Sequence, residues 1–161
     1  MIKVRIAGPT DVDELVRVIN AAYRVEDFFV DGDRTNADDV CHRMSEAGGL
    51  FLVIDADTRG SLLASVHVHV RDTEGHFGLL AVEPARQGQG LGRALVDAVE
   101  AHCRAAGCSE LTLDFVNLRA ELPGFYARLG FTLTGETAPM PSTERLRRPA
   151  HLVAMRKPLG P

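Results

Sequence analysis

The stretch Leu79–Val96, LLAVEPARQGQGLGRALV, decides the fold of this 161-residue chain. Its first four residues are apolar and predict a buried strand, which Pro84 ends because proline has no N–H to continue a ladder. A helix is predicted to begin near Gly90, since apolar residues then recur at the spacing of one buried helical face: Leu91, Leu95, Val99 and Cys103. The stretch therefore predicts a strand, a glycine-rich loop and a helix in succession.

The predicted loop has three glycines at alternate positions, Gly88, Gly90 and Gly92. They leave backbone N–H groups uncovered at a helix N-terminus, where partial positive charge accumulates, so that a pyrophosphate would bind there. Arg86 and Arg93 flank the loop and could add charge-assisted contacts. A turn in which the glycines serve tight packing alone would explain one glycine more easily than three.

Two other glycine-rich motifs fit this loop less well. A P-loop ends in Gly-Lys-Ser/Thr, whereas Gly92 is followed by Arg93 and Ala94. The dinucleotide fingerprint would need a glycine at Arg93, and it usually opens a series of βαβ units, which this mid-chain strand does not. A nicotinamide-dependent enzyme is therefore a minor alternative.

A second informative block lies downstream, at Asn117–Phe131, NLRAELPGFYARLGF. It places an asparagine at the end of a predicted strand, and it places Tyr126 on a short predicted helix that Gly-Phe follows. Together with Gln87-x-x-Gly90-x-Gly92 after an apolar strand, this block resembles the GNAT N-acetyltransferase superfamily. The two blocks cover about the central third of the chain.

The resemblance implies that the loop binds acetyl-coenzyme A (acetyl-CoA), with its backbone N–H groups holding the pyrophosphate. The strand before the loop would pair with the amide-rich pantetheine arm through main-chain bonds, as an added strand does. The asparagine that ends the next strand would also bond this arm. The residues implied in cofactor binding are Leu80, Ala81, Val82, Gln87, Gly88, Gln89, Gly90, Leu91, Gly92, Arg93 and Asn117.

Tyr126 is the general acid that the resemblance implies, because such a tyrosine hydroxyl lies near the coenzyme A sulfur in the family. Attack of an amine on a thioester forms an oxyanion and then expels a thiolate, which a phenol with a pKa of about 10 can protonate. The ordinary alternative is an amphipathic tyrosine packed at a helix end. Neither block contains a cysteine, so the transfer is predicted to be direct, without an acyl-enzyme.

A general base is harder to identify, although an alkylamine is largely protonated at neutral pH and must lose a proton. His76, near the start of the glycine-loop strand, is the first candidate, since some family members have a carboxylate base in that region. His67 and His69 lie on one face of the preceding strand and come second. Their spacing could also ligate a metal, but no third ligand is evident and no metal site is predicted. Exposed strand histidines without a role are the alternative.

The acceptor is predicted to bind against the polar loop 26–35, where this superfamily commonly builds its substrate wall. The candidates are Glu26, Asp27 and Arg34, and the clustered carboxylates of this loop would suit a cationic amine. The segment 145–148, RLRR, could contact an acidic substrate or the adenosine phosphate. For both segments a solvated loop is the alternative.

The whole pattern predicts one domain over residues 1–161, with an α/β fold: a mixed, mostly antiparallel central sheet with helices on both faces, the acyl-CoA N-acyltransferase fold. Alternating apolar residues predict a first strand over 2–6. The strand 111–116 should lie parallel to 79–82, because a helix connects them. Tyr23 falls on the apolar stripe of its helix and is predicted in the core, whereas the loop 26–35 presents two aromatics that look exposed.

Charge and composition exclude several other classes of function. The net charge of −4 argues against a nucleic-acid surface, because phosphate neutralisation needs a basic excess. No apolar run has the length of a membrane span, and the N-terminus lacks a signal-peptide pattern. Three cysteines without C-x-x-C spacing indicate neither a disulfide framework nor a zinc site, which favours the reducing cytoplasm.

The sequence therefore predicts an acetyl-CoA-dependent N-acetyltransferase that moves an acetyl group to a primary amine of a small molecule or peptide, with coenzyme A as product. The alternative is a non-catalytic sensor or regulatory module that binds acyl-CoA. A homodimer is left open, and the sequence does not identify the acceptor.

Overall fold

A computed structural model describes residues 1–160, which contain four α-helices and seven strands. No helix within these residues is long and apolar enough to cross a membrane. The helices are α1 (Val12–Tyr23), α2 (Ala37–Ser45), α3 (Leu91–Ala105) and α4 (Leu122–Arg128). The strands are β1 (Arg5–Ile6), β2 (Gly49–Asp55), β3 (Leu62–Arg71), β4 (Glu74–Val82), β5 (Glu110–Val116), β6 (Thr132–Pro139) and β7 (His151–Pro158).

The strands form one sheet in the order β1-β2-β3-β4-β5-β7-β6. Neighbouring strands are antiparallel, except that β4 and β5 run parallel to each other. Helix α3 is the crossover between those two strands, as a parallel pair requires. The predicted mixed, mostly antiparallel sheet and its one parallel pair are therefore confirmed.

The sheet buries a hydrophobic cluster on each face. One cluster lies against α3 and α4 and includes Phe77, Leu95 and Leu111. The other lies against α1 and α2 and includes Leu15 and Phe51. The amphipathic stripes of the helices cover both faces of the sheet, so only its edges and the ends of its strands remain for a binding site.

Strand β4 changes face partway along, because it contains a β-bulge. Ser65 lies opposite Ala81 and His67 lies opposite Gly78, so two residues of β4 face one residue of β3. In this bulge Leu79 has a φ of 52°, which residues with a side chain rarely adopt. Leu79 and Ala81 consequently pack on the α1 side, although simple alternation would place them on the α3 side with Phe77.

The two parallel strands separate just after the bulge begins. They pair only where Glu74–Phe77 faces Glu110–Leu113, although β5 pairs with β7 along its whole length. Within residues 1–160 the backbone of segment 78–82 therefore has no strand partner on the β5 side. The gap opens on the part of β4 that leads into the glycine-rich loop.

Two sequence predictions about local structure are wrong. The first strand covers only Arg5–Ile6, and Ile2 and Ile6 are 42% and 59% exposed because this short strand lies at the edge of the sheet. Of the two loop aromatics, Phe28 is exposed as predicted but Phe29 is fully buried. The backbone of Phe29 is bonded to a second loop far away in the sequence, as described below, and a local sequence pattern does not reveal such a neighbour.

Candidate active site

The glycine-rich loop forms an open cradle of free N–H groups at the start of α3. Gly88 and Gly90 have φ values of 81° and 82°, a left-handed conformation that glycine adopts without strain. A Cβ at either position would find nothing within 4 Å, so the backbone is accessible. Within the described residues, no backbone N–H from Gln87 to Arg93 donates to a backbone carbonyl. Such N–H groups at the positive end of a helix bind anions.

The side chains of this loop hold its shape. Gln87 Nε2 donates to the carbonyl of Val82 at 3.4 Å, and Arg86 Nε donates to Gln89 Oε1 at 2.9 Å. Gly92 differs from the other two glycines, because a Cβ there would lie 3.4 Å from the ring of Phe125, an ordinary packing contact, and its φ is not positive. Gly88 and Gly90 are therefore the two glycines whose backbone conformation shapes the open cradle.

A cavity of about 380 Å³ opens where β4 and β5 separate. Its walls come from β3, β4 and β5, from the end of α1 and the segment after it, and from α2. Helix α4 and the loop between β6 and β7 complete the lining. The side chains that bear on its chemistry are Tyr23, Glu26, Arg34, Arg43, His67, His76, Asp114, Arg119, Tyr126 and Arg145.

Tyr126 reaches the cavity from a cluster of aromatic rings. It is 6% exposed, and its ring lies 5.1 to 6.4 Å from the rings of Phe77, Phe115, Phe125 and Phe131. Burial raises the pKa of its hydroxyl above the ordinary value of 10.0, so the phenol is protonated at neutral pH. Tyr126 therefore packs at the helix as an amphipathic tyrosine does, and it also presents a proton donor to the cavity.

His76 lines the cavity, and its two ring nitrogens have different neighbours. Its Nδ1 lies 2.8 Å from Thr112 Oγ1, and that hydroxyl also lies 3.0 Å from Glu74 Oε1 and 3.4 Å from the carbonyl of Gly75. When the hydroxyl donates to Glu74, it accepts from Nδ1–H of His76, and Nε2 of the neutral ring then carries no proton. Nε2 lies 4.0 Å from Asp114 Oδ2. In this tautomer Nε2 can accept a proton in the cavity.

His67 is buried beside the same cavity without a partner for its Nε2. It is 7% exposed, and its ring lies 5.0 Å from that of Phe51. Burial, together with the charge of Arg43, lowers the pKa of His67 from 6.5 to about 4. His69 lies farther out, 3.8 Å from Glu46. Residues 1–160 contain no group of three His, Cys, Asp or Glu side chains placed to hold a metal ion.

The burial of His67 predicts an acid-sensitive stability. The unfolded ring titrates at about 6.5 and the folded ring at about 4, so the unfolded state binds more protons between these values. Stability therefore falls as the pH drops through this window, by about 2 to 3 kcal/mol at a pH of about 4.5. Unfolding free energies at neutral pH and in this window should show that His67→Gln removes this loss. The exposed His151→Gln should retain it, and equal pH dependence in wild type and His67→Gln would contradict the assignment.

Glu26 and Arg119 form a buried ion pair beside the cavity. Glu26 Oε2 lies 2.9 Å from Arg119 Nη1, and Arg119 Nε lies 2.6 Å from Glu121. Loss of water raises the pKa of Glu26, although Arg119 opposes this shift. Of the predicted acceptor residues, Glu26 and Arg34 line the cavity. Asp27 does not, and its Oδ1 lies 3.6 Å from Arg24 Nη1.

The sequence did not reveal Arg119 as a cavity residue, because its neighbours in the sequence are typical of a surface loop.

Tyr23 is partly buried and packs against the core cluster on the α1 side, as predicted, and it also lines the cavity, which was not predicted. It is the last residue of α1, where the apolar stripe of the helix runs past the buried sheet into the cavity. The Cζ atom of Arg34 lies 5.5 Å from the centre of its ring. Helical periodicity identifies an apolar face, but it does not reveal what that face meets at its end.

Asn117 lies outside the cavity lining and joins the ends of two strands. Its Oδ1 accepts the backbone N–H of His151 at 2.9 Å, and its own N–H donates to the carbonyl of His151 at 2.9 Å. The side-chain oxygen is therefore committed to the start of β7. Only the Nδ2 donor is left for the pantetheine contact that the sequence predicts.

Two loops join to form a roof over the cavity. Val30 makes an antiparallel bridge with Leu146, and the N–H of Asp31 donates to the carbonyl of Arg145 at 2.9 Å. The carbonyl of Phe29 accepts a further backbone bond from the N–H of Arg147 in this second loop at 2.7 Å, and the Phe29 side chain is fully buried. The roof brings the segment after α1 and the loop between β6 and β7 to one place.

The fold and the cradle define the class of protein. The structure is similar over its whole length to the ribosomal-protein-S18-alanine N-acetyltransferase of Escherichia coli, with a TM-score of 0.79, 18% identity and 96% of that chain covered. It is also similar to an acetyltransferase structure from Salmonella typhimurium solved with its cofactor acetyl-CoA, with a TM-score of 0.76 and 21% identity. That match covers 100% of this chain and 95% of the other. These neighbours have the acyl-CoA N-acyltransferase fold.

The sequence then identifies the family. The model of the Acetyltransferase (GNAT) family matches residues 15–131, and the chain belongs to this family. The chain is 36% identical over 130 residues to a mycothiol acetyltransferase of Gordonia bronchialis, a match that covers 78% of this chain and 41% of that protein. The chain thus spans about two fifths of the length of this curated relative.

Proposed function

We propose that this protein is an acetyl-CoA-dependent N-acetyltransferase that moves an acetyl group directly to a primary amine of a small molecule or peptide. The observation that carries the proposal is the continuity from cradle to cavity. The free N–H groups begin α3, and the unpaired edge of segment 78–82 leads from them towards the cavity that Tyr126 lines. Membership of the family supports the same activity.

The backbone would hold the cofactor. The N–H groups of segment 87–93 suit the diphosphate, and the main chain of Leu80, Ala81 and Val82 is free to pair with the pantetheine amides as an added strand. Bound in this way, acetyl-CoA supplies an acyl group activated as a thioester. The N–H groups near the bulge at Leu79 are the candidates to bind the oxyanion.

Two side chains would move protons. His76 Nε2 would accept a proton from the attacking amine, directly or through water, in the tautomer in which Nδ1–H donates to Thr112. The hydroxyl of Tyr126 would donate a proton to the departing sulfur, since burial keeps the phenol protonated. The amine thus loses a proton to His76, and the thiolate gains one from Tyr126.

The proposed base gives a prediction for His76. His76→Gln is expected to lower kcat/KM about tenfold at neutral pH, a modest loss because water can also accept the proton. Thr112→Val removes the partner of Nδ1 and should cause a smaller loss of rate. His102→Gln, on α3 outside the cavity lining, is the control and should keep the wild-type rate. A wild-type kcat/KM in His76→Gln would contradict the role of His76.

The proposed activity is tested by binding and then by turnover. Calorimetry should detect binding of acetyl-CoA, and a thiol reagent should detect release of coenzyme A with at least one member of a panel of amines. Binding without thiol release would favour the non-catalytic sensor. Binding of NAD in place of coenzyme A would overturn the proposal.

We also propose that the chain acts as a single domain in the reducing cytoplasm. One seven-stranded sheet includes strands from residue 5 to residue 158, and Cys41, Cys103 and Cys108 are all free thiols. The sequence leaves a homodimer open, and light scattering of the purified protein would decide between a monomer and a dimer.

A further inference from the structure

The acceptor side of the cavity is rich in arginine. The lining includes the guanidinium groups of Arg34, Arg43, Arg119 and Arg145, but only the carboxylates of Glu26 and Asp114. The carboxylates of the loop 26–35 were expected to receive a cationic amine. Most of them instead pair with arginines outside the lining: Asp27 and Asp33 with Arg24, and Asp31 with Arg147.

Two of the four cavity arginines have their charge balanced. Arg119 pairs with Glu26 at 2.9 Å, and Arg43 pairs with Asp39 at 3.1 Å. Arg34 and Arg145 have no carboxylate within 4.0 Å among residues 1–160. These are the two cavity arginines without a direct ion pair, although the charge of Arg34 still acts on Glu26 and Asp39 at longer range and favours the ionised form of each carboxyl.

Both of these side chains are held in position. Arg34 lies over the ring of Tyr23, a cation–π arrangement with 5.5 Å between Cζ and the ring centre. Arg145 Nη1 donates at 3.0 Å to the carbonyl of Asp33, the residue before Arg34 in the chain. Each guanidinium carries five N–H donors in a planar fork, and most of them are left for a ligand. Such forks bind carboxylates and phosphates through paired hydrogen bonds.

We propose that the acceptor amine carries an anionic group, a carboxylate or a phosphate, which Arg34 and Arg145 bind under the roof. The inference rests on the proposed function, because it names the acceptor class of that site. The anion binds near the roof, and the amine at the other end of the molecule extends towards His76. Of the two carboxylates in the lining, Glu26 is already paired with Arg119, which leaves Asp114, 4.0 Å from His76, to attract the amine end of the acceptor.

Matched probes test this inference on the protein saturated with coenzyme A, so that the phosphate-binding cradle is occupied. The probes are O-phosphoethanolamine against ethanolamine, and β-alanine against β-alaninamide. The anionic member of at least one pair should bind about tenfold more tightly or better. The pair with the larger ratio decides between a phosphate and a carboxylate.

Variants assign the binding to the two arginines. Arg34→Gln and Arg145→Gln should each weaken the preferred anionic probe about tenfold and should not weaken its partner, a cationic amine without the anionic group. Arg59→Gln removes the same charge from the exposed turn between β2 and β3 and should change nothing. Equal affinity within both pairs, no detectable binding of either anion, or insensitivity to both cavity variants would overturn the inference.

The result is separable from that of the proposed function. If coenzyme A itself does not bind, the proposed function fails. The same titration of the free protein, with the same three variants, would then still decide whether Arg34 and Arg145 form an anion site.

Discussion

Tyr126→Phe is expected to lower kcat by about 10²- to 10³-fold, while the affinity for acetyl-CoA changes by less than about twofold. The variant keeps the ring that packs among Phe77, Phe115 and Phe131, but it cannot protonate the departing thiolate. The cofactor is predicted to bind through backbone N–H groups of the loop, which this change does not touch. The loss should therefore fall on the chemical step.

Three measurements check this expectation. Thiol release gives kcat, calorimetry gives the cofactor affinity, and denaturant unfolding should show a stability change below about 1 kcal/mol. Because burial raises the pKa of Tyr126, wild-type kcat should not decline through deprotonation of this group as the pH rises from 7 to about 9. Full turnover by Tyr126→Phe would remove Tyr126 from the mechanism, whatever the fold.

Gly90→Ala is expected to weaken acetyl-CoA binding about 100-fold. Gly90 has a φ of 82° at the N-cap of α3, so alanine there is strained and the loop must shift to relieve it. The shift turns several N–H groups away from the cradle at once, and the new Cβ occupies open space beside them. Calorimetric titration of acetyl-CoA measures the loss directly.

Gly60→Ala is the matched control for this change. Gly60 has a φ of 86° and also has nothing within 4 Å of an added Cβ, but it lies in the turn between β2 and β3. Both variants should lose about 1 kcal/mol of folding stability from the same backbone strain. Only Gly90→Ala should lose cofactor affinity. If both variants bind acetyl-CoA like wild type, the loop is not the cradle.

Much of this fold follows from local sequence. Local patterns predicted the strand that ends at Val82 and the helix that begins at Leu91. They also predicted that β4 and β5 run parallel. Proline stops a ladder, glycine permits positive φ, and apolar spacing marks a helical face, so each signal acts within a few residues. The place of Tyr126 on a short helix before Gly-Phe was also visible in the sequence.

The cavity was less predictable, because its walls come from distant segments. The bulge at Leu79 reverses the faces of β4, and nothing in the alternation of LLAV reveals it. The apolar stripe of α1 predicts a core position for Tyr23 but not its place in the cavity wall. The sequence predicts that Phe29 is exposed, because the loop that bonds to its backbone lies more than 100 residues later in the chain.

The sequence by itself determined the glycine-rich cradle, the order of the elements and the family, because turns, helix starts and periodicity depend on neighbouring residues. Only the tertiary structure decided which charges face the acceptor. Arg34, Arg119 and Arg145 come from three separate segments, and which of them keep a free charge depends on carboxylates elsewhere in the chain. Charge balance in a cavity is a property of spatial neighbours, which a linear pattern does not record.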